Sequence, residues 1–117
     1  MAKYKRVLVK LSGEALAKKG HDEIFDAVNL NKVALALKGM IDEGVQIAVV
    51  VGGGNIWRGK LADSIGVERS TADYMGMLGT IINALAVQSA LNQVGVESRV
   101  MSAIEVRQVC EPYIKLR

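Results

Sequence analysis

Two short apolar runs, each breaking directly into a glycine-bearing turn, limit what this chain can fold into more than any other feature. Arg6-Val-Leu-Val-Lys10 leads into Leu11-Ser-Gly-Glu14, and Val45-Gln-Ile-Ala-Val-Val-Val51 leads into Gly52-Gly-Gly-Asn55. Both runs are rich in β-branched residues and read as strands, and the nearly continuous apolarity of the second predicts a central parallel strand covered on both faces. Between them Leu30, Val33, Ala34, Leu37, Met40 and Ile41 recur at three- and four-residue spacing. That spacing predicts one buried face of a helix, capped by Asn29 or Asn31 and stopped at Gly44. Strand, helix and strand in this order demand a crossover with parallel pairing. Both glycine turns then fall on the same rim of one sheet, the rim at which open α/β folds bind ligands.

Further along, residues from Ser70 or Thr71 to about Val94 predict a long helix that is apolar almost all round, with Met75, Leu78, Ile82, Leu85 and Ala86 on one side and Met77, Ile81, Ala84 and Leu91 on others. Such a helix needs cover on more than one face, from the sheet and from a partner subunit. Gly95 to Met101 reads as a third strand, and Ala103 to Val109 as the start of a short helix before Pro112. With 117 residues, half of them hydrophobic, the chain suits one domain or part of one. It shows no repeat or linker.

Composition removes several classes of function. The net charge of +3 comes from scattered Lys and Arg interleaved with Asp and Glu, so no dense basic block points to nucleic acid. Cys110 is the sole cysteine, which excludes an internal disulfide and a multi-cysteine zinc site and fits a reducing cytosol. Val7 to Val9 is too short for a signal-peptide core and no apolar run reaches ~20 residues, so a soluble chain without a membrane partner is expected.

Three segments carry candidate chemistry. Lys10 stands at the mouth of the first strand, where its ammonium can pair with phosphoryl oxygens while the Ser12-Gly13 turn offers backbone N–H groups; a surface lysine beside a routine turn is the plain alternative. Gly52-Gly-Gly54 gives up about 0.5–1 kcal/mol of backbone entropy per residue relative to Ala, which makes sense where a ligand approaches the main chain closely. Arg58 adds a planar fork for phosphate. The segment lacks the Lys-Ser/Thr ending of a P-loop and does not open a dinucleotide-binding unit. Asp73, placed in the first turn of the long helix, either complements the helix dipole or accepts hydrogen bonds from vicinal hydroxyls. His21 reads as a solvated surface residue in the polar turn Lys18 to Asp22, Trp57 as either a ligand cover or a loop anchor, and Cys110 as a packed side chain.

Lys10-Leu-Ser-Gly-Glu14, Gly52-Gly-Gly-Asn55 with Arg58-Gly59, Asp73-Tyr-Met-Gly-Met77 and Val100-Met-Ser-Ala-Ile104 together resemble the bacterial uridylate (UMP) kinases of the amino acid kinase superfamily, in order and over nearly the whole chain. The glycine triplet is shared with carbamate, acetylglutamate and aspartate kinases, whereas the Asp73 helix start and the Met101-Ser-Ala-Ile104 exit are the discriminating parts. The resemblance implies an α/β fold, a three-layer α/β/α sandwich with a mainly parallel central sheet, here truncated. Residues 1–117 would be the amino-terminal part of a single amino acid kinase domain, the part for nucleoside monophosphate binding and oligomerisation, with the carboxy-terminal ATP-binding half absent.

It further implies direct in-line transfer of the γ-phosphate of ATP to UMP, with Mg2+ accompanying ATP. By the same resemblance Lys10, Leu11, Ser12, Gly13, Gly54 and Arg58 would contact ATP, Lys10 would offset charge on the transferred group, and Gly53 and Asp73 would bind UMP. Members of the family commonly form hexamers, respond to GTP and UTP, and work in cytosolic pyrimidine synthesis. They are also longer, with a second half that grips UMP and carries most of the adenine site, so this chain alone is expected to be an incomplete and inactive part. Two other readings stay open from the residues: a related kinase acting on carbamate or a carboxylate, and a non-catalytic nucleotide-binding or assembly module.

Overall fold

The computed structural model describes residues 4–18, 23–106 and 108–114. His21 and most of its turn lie outside the described residues. Strand β1 (Arg6–Leu11) is followed by a 3-10 turn (Gly13–Leu16), helix α1 (Ala27–Asp42), strand β2 (Gln46–Val51), helix α2 (Gly59–Ile65), helix α3 (Arg69–Gln93), and the two-residue strands β3 (Met101–Ser102) and β4 (Glu111–Pro112). β1 and β2 pair in parallel, in register from Arg6 opposite Gln46 to Leu11 opposite Val51. The strand–helix–strand unit expected from the sequence is therefore present, with both strand ends on one rim.

Alternation within these strands decides which face is covered. Val9, Leu11, Ile47, Val49 and Val51 point inward and pack on a core formed by Leu16, Ala34, Leu37, Val87, Ala90 and Leu91. Both α1 and α3 thus lie on the same side of the sheet. The opposite side is open, with Leu8 67% and Val50 52% exposed. This corrects the expectation of a strand buried on both faces: β2 carries apolar residues for two layers, and the described residues supply one. A cleft of about 910 Å³, lined in part by Leu8, Val50, Met77, Thr80 and Val100, opens between β2, α3 and the β3–β4 pair.

Helix α1 starts earlier than either proposed cap. Asp26 is the N-cap, its carboxylate accepting from the Asn29 N–H at 3.0 Å. Asn29 instead donates its side-chain amide to the Ala17 carbonyl at 2.7 Å, tying the helix to the 3-10 turn. The helix ends before Gly44, whose φ of 88° is the left-handed conformation that glycine adopts without a Cβ penalty. Ile41, assigned to the buried face, is partly exposed at the edge of the cleft.

Helix α3 runs 25 residues and joins two cores. Its second half meets α1, while Ile81 packs with Val100 and Cys110 in a smaller cluster, which gives Cys110 the packing role expected of it. By length and composition α3 could cross a membrane, and 28% of its most apolar window is buried within the chain. Its polar, glycine-bearing face is seated against the protein, as described below, which is not how a lipid-facing helix is built. Tyr74, Met77, Leu78 and Ile82 remain exposed.

The last part of the chain departs most from expectation. Val96 to Val100 forms no strand, and Ala103 to Val109 no helix over its described residues. Instead β3 pairs in parallel with β4, Ser102 opposite Pro112. Pro112 is tolerated because the donors to this pair are its neighbours: the Glu111 N–H reaches Val100 O and the Tyr113 N–H reaches Ser102 O, each at 2.9 Å.

The one-sided core predicts unequal costs of substitution. Leu37→Ala, which empties space beneath the sheet, should lower the unfolding free energy by about 2–5 kcal/mol, whereas Leu8→Ser on the open face should change it by less than about 0.5 kcal/mol. Urea denaturation followed by circular dichroism checks this, and equal losses would contradict a core on one side only.

Candidate phosphate-binding site

The end of β1 is set by Ser12, whose Oγ accepts from the Glu14 N–H at 3.3 Å and caps the 3-10 turn. The Gly52 N–H then donates to Leu11 O at 2.9 Å as the chain leaves β2. That bond holds the two turns side by side. Gly13 is buried between them, and a Cβ built there would lie 2.5 Å from Asn55 Oδ1, 2.8 Å from Gly52 O and 2.9 Å from Gly54 N. Two of these atoms are backbone and cannot swing away. The Ser12-Gly13 turn therefore requires glycine because another glycine-rich turn packs directly against it.

All three carbonyls of Gly52-Gly-Gly54 are hydrogen-bonded. Gly52 O accepts from Asn83 Nδ2 at 2.7 Å, Gly53 O from the Ile56 and Trp57 N–H groups at 3.0 Å each, and Gly54 O from Arg58 Nε at 3.0 Å. Among the described residues nothing takes up the N–H groups of Gly53 and Gly54. A turn with its carbonyls tied back and its amides free suits an anion. Arg58 also forms an ion pair with Glu14, so one guanidinium spans both turns. Both partners are more than half exposed, and the pair contributes little to stability while leaving the guanidinium within reach of a ligand.

The turn does not face the N-terminus of α3; it lies across the side of the helix. A Cβ on Gly53 would come within 3.2 Å of Gly76 O and 3.3 Å of Thr80 N. Helix α3 begins at Arg69, so Asp73 stands one turn inside it rather than in the first turn, which removes the dipole explanation. Asp73 is exposed. Helical spacing places it on the same stripe as Gly76 and Thr80, one turn before the point where the glycine turn crosses.

The structure thus brings Ser12, Gly13, Gly53, Gly54 and Arg58 together, with Asp73 on the adjoining helix stripe. Leu11 points into the core and can offer a ligand only its backbone. Lys10 is exposed on the open face of the sheet, beside Val50 at the same rim. Helix α2 and the pair Asn55–Asn83 were missed by sequence reasoning. An asparagine in the middle of an apolar helix was the available signal for the pair, since it needs a polar partner if buried. Trp57 lies against Gly76, a contact that suits a loop anchor, and its buried indole N–H is unpaired among the described residues.

Two turns joined in this way at the rim of a parallel α/β unit are the setting in which comparison with known proteins becomes informative. The amino acid kinase family model matches residues 5–115, and the chain belongs to that family. A uridylate kinase of Pediococcus pentosaceus is 56% identical over 113 residues, covering 97% of this chain and 46% of that protein. The crystal structure of UMP kinase from Bacillus anthracis superposes with a TM-score of 0.90 at 45% identity, covering 97% of this chain and 46% of the other. That of UMP kinase from Ureaplasma parvum gives 0.87 at 37% identity, covering 94% and 48%. The chain spans about half the length of these relatives.

The glycine geometry yields a graded prediction. Gly13→Ala must push the two turns apart and should destabilise the chain by about 1–3 kcal/mol, the usual cost of overpacking. Gly54→Ala, whose Cβ would meet only Glu14 at 3.8 Å, should cost less than Gly13→Ala. Thermal melts of both variants check the order, and a Gly13→Ala chain as stable as the parent would contradict the packing described.

Proposed function

We propose that this chain forms the acceptor-binding and phosphate-cradling part of a UMP kinase, within a single amino acid kinase domain that moves the γ-phosphate of ATP to UMP. The observation that carries the reading is the juxtaposition of two glycine turns with tied carbonyls and free amides at one sheet rim. The uridylate and UMP kinases among the relatives favour this acceptor over carbamate or a carboxylate.

In this reading the amides of Gly53 and Gly54 and the guanidinium of Arg58 hold phosphoryl oxygens, Gly53 on the UMP side and Gly54 and Arg58 on the ATP side. Lys10, Ser12, Gly13 and the Leu11 backbone line the ATP phosphates. Asp73 accepts hydrogen bonds from the ribose hydroxyls of UMP. A UMP phosphate oxygen attacks the γ-phosphorus as the bond to the bridging oxygen of ADP breaks in line, so no covalent protein intermediate is needed. The protein contributes position and fixed positive charge: Lys10 and the amides stabilise the negative charge spread over the transferred group.

Mg2+ would enter with ATP. Among the described residues no three His, Cys, Asp or Glu side chains gather as a metal site, so the residues here do not fit a protein-held ion and no step is assigned to one. The exposed Tyr74, Leu78 and Ile82 of α3 are apolar enough to support self-association, up to the hexamer common in the family, and GTP or UTP would act as effectors of that assembly. A cytosolic role in pyrimidine nucleotide synthesis is the setting this implies.

Calorimetric titration of the chain tests the reading. UMP should bind saturably, and Asp73→Asn should weaken it by about 2 kcal/mol, the worth of hydrogen bonds to a charged acceptor. Lys10→Ala should weaken MgATP and leave UMP within about twofold, since a removed charge acts chiefly on the phosphates it faces. The 117-residue chain should show no UMP phosphorylation by itself. A folded chain that ignores UMP, or one whose UMP binding is indifferent to Asp73, would overturn the assignment.

A further inference from the structure

Three consecutive glycines have no side chains with which to fix their own conformation, so the direction of their amides depends on what holds their carbonyls. Gly53 O and Gly54 O are held from within the loop and its exit, by Ile56, Trp57 and Arg58. Gly52 O is held from α3, by Asn83 Nδ2 at 2.7 Å. Asn83 is fully buried in the middle of that helix. Its remaining hydrogen bonds also go to the loop: Nδ2 donates to Asn55 Oδ1 at 2.6 Å and Oδ1 accepts from Asn55 Nδ2 at 3.1 Å. Asn55 in turn donates to Ile24 O at 3.0 Å.

We infer that Asn83 is a positioning residue that aims the Gly53 amide at the acceptor phosphate, an inference that deepens the proposed function and rests on it. The Gly52 carbonyl and the Gly53 N–H belong to one peptide plane, and in a trans peptide they point in opposite directions; no peptide bond described here is cis. Drawing the carbonyl down onto α3 therefore turns the Gly53 N–H away from the helix, toward the rim. Only a side chain with a donor and an acceptor fits the position. A carboxylate would lose both donated bonds, and an alkyl group would leave Gly52 O without its side-chain donor and Asn55 with only its bond to Ile24 O. Burying an amide in an apolar helix costs free energy unless every bond is made, and here each bond made is to the glycine loop.

The test compares Asn83→Ala with Gln88→Ala, which removes a side-chain bond of the same helix, to Ser98 O at 3.1 Å, away from the loop. Two readouts are taken on folded protein: UMP affinity by calorimetry, and acrylamide quenching of Trp57, the sole tryptophan. Asn83→Ala should weaken UMP about tenfold and raise quenching of Trp57, and Gln88→Ala should leave both within about twofold, because orphaning a buried acceptor acts on its own loop. UMP affinity unchanged by Asn83→Ala, or equal losses in both variants, would overturn the inference. If the parent chain binds no UMP, the proposed function fails for this part of the protein, and Trp57 quenching alone decides: a rise confined to Asn83→Ala supports the positioning role and no change rejects it. If Asn83→Ala does not fold, Asn83→Leu, which fills similar space but cannot donate to Gly52 O, is judged by the same criteria.

Discussion

The parallel pairing of β1 with β2, closed at its end by the bond from the Gly52 N–H to Leu11 O, is the constraint on which the rest of the structure depends. Register alone decides that both strands end together, at Leu11 opposite Val51, and that the two turns leaving them meet. A slip of one residue would turn Leu11 and Val51 outward and Lys10 inward, exchanging core and solvent along both strands. Correct register also brings Gly13 against Gly52 and Gly54, a contact too close for any side chain. The same pairing thus fixes the core and builds the site. Helix α3 completes it from below, with Gly53 seated on its backbone and Asn83 reaching up to the loop.

An apolar surface remains on the other side of the sheet. Leu8 and Val50 are strand residues suited to a covered face, and Tyr74, Leu78 and Ile82 give α3 an apolar face of its own. Both belong to a fold whose relatives are about twice this length. One helical layer with the 3-10 turn buries one sheet face and secures the loop geometry, and the other face stays uncovered among the described residues.

Much of this was legible in the sequence because it depends on local pattern. The β-branched runs gave β1 and β2, the three-and-four spacing gave α1, and the long apolar stretch gave α3 to within a residue or two. The turn residues Ser12, Gly13, Gly53, Gly54 and Arg58 stood out because glycine closes both strands, and the structure brings the two turns together. What was not legible depended on partners far away in sequence. Asp26 rather than Asn29 caps α1 because Asn29 is taken by Ala17 O. Val96 to Val100 has strand-like residues but pairs with no strand among the described residues, and a strand exists only where its hydrogen bonds are met. Asp73 lost its place in the first helical turn because α3 begins four residues earlier, at Arg69. Asn83 lies 31 residues from Gly52, and local pattern could not connect them.

The proposed acceptor-phosphate site consists of the free amides of the glycine turn. Backbone amide resonances of the isotope-labelled chain, followed during titration with UMP, test this most directly. Large, saturable shifts are expected at Gly53 and Gly54, smaller ones at Gly13 and Asp73, and none at Gly66 or Gly95, which close helices elsewhere on the chain. Shifts that gather on the open sheet face around Leu8 and Val50, with Gly53 and Gly54 unmoved, would contradict it.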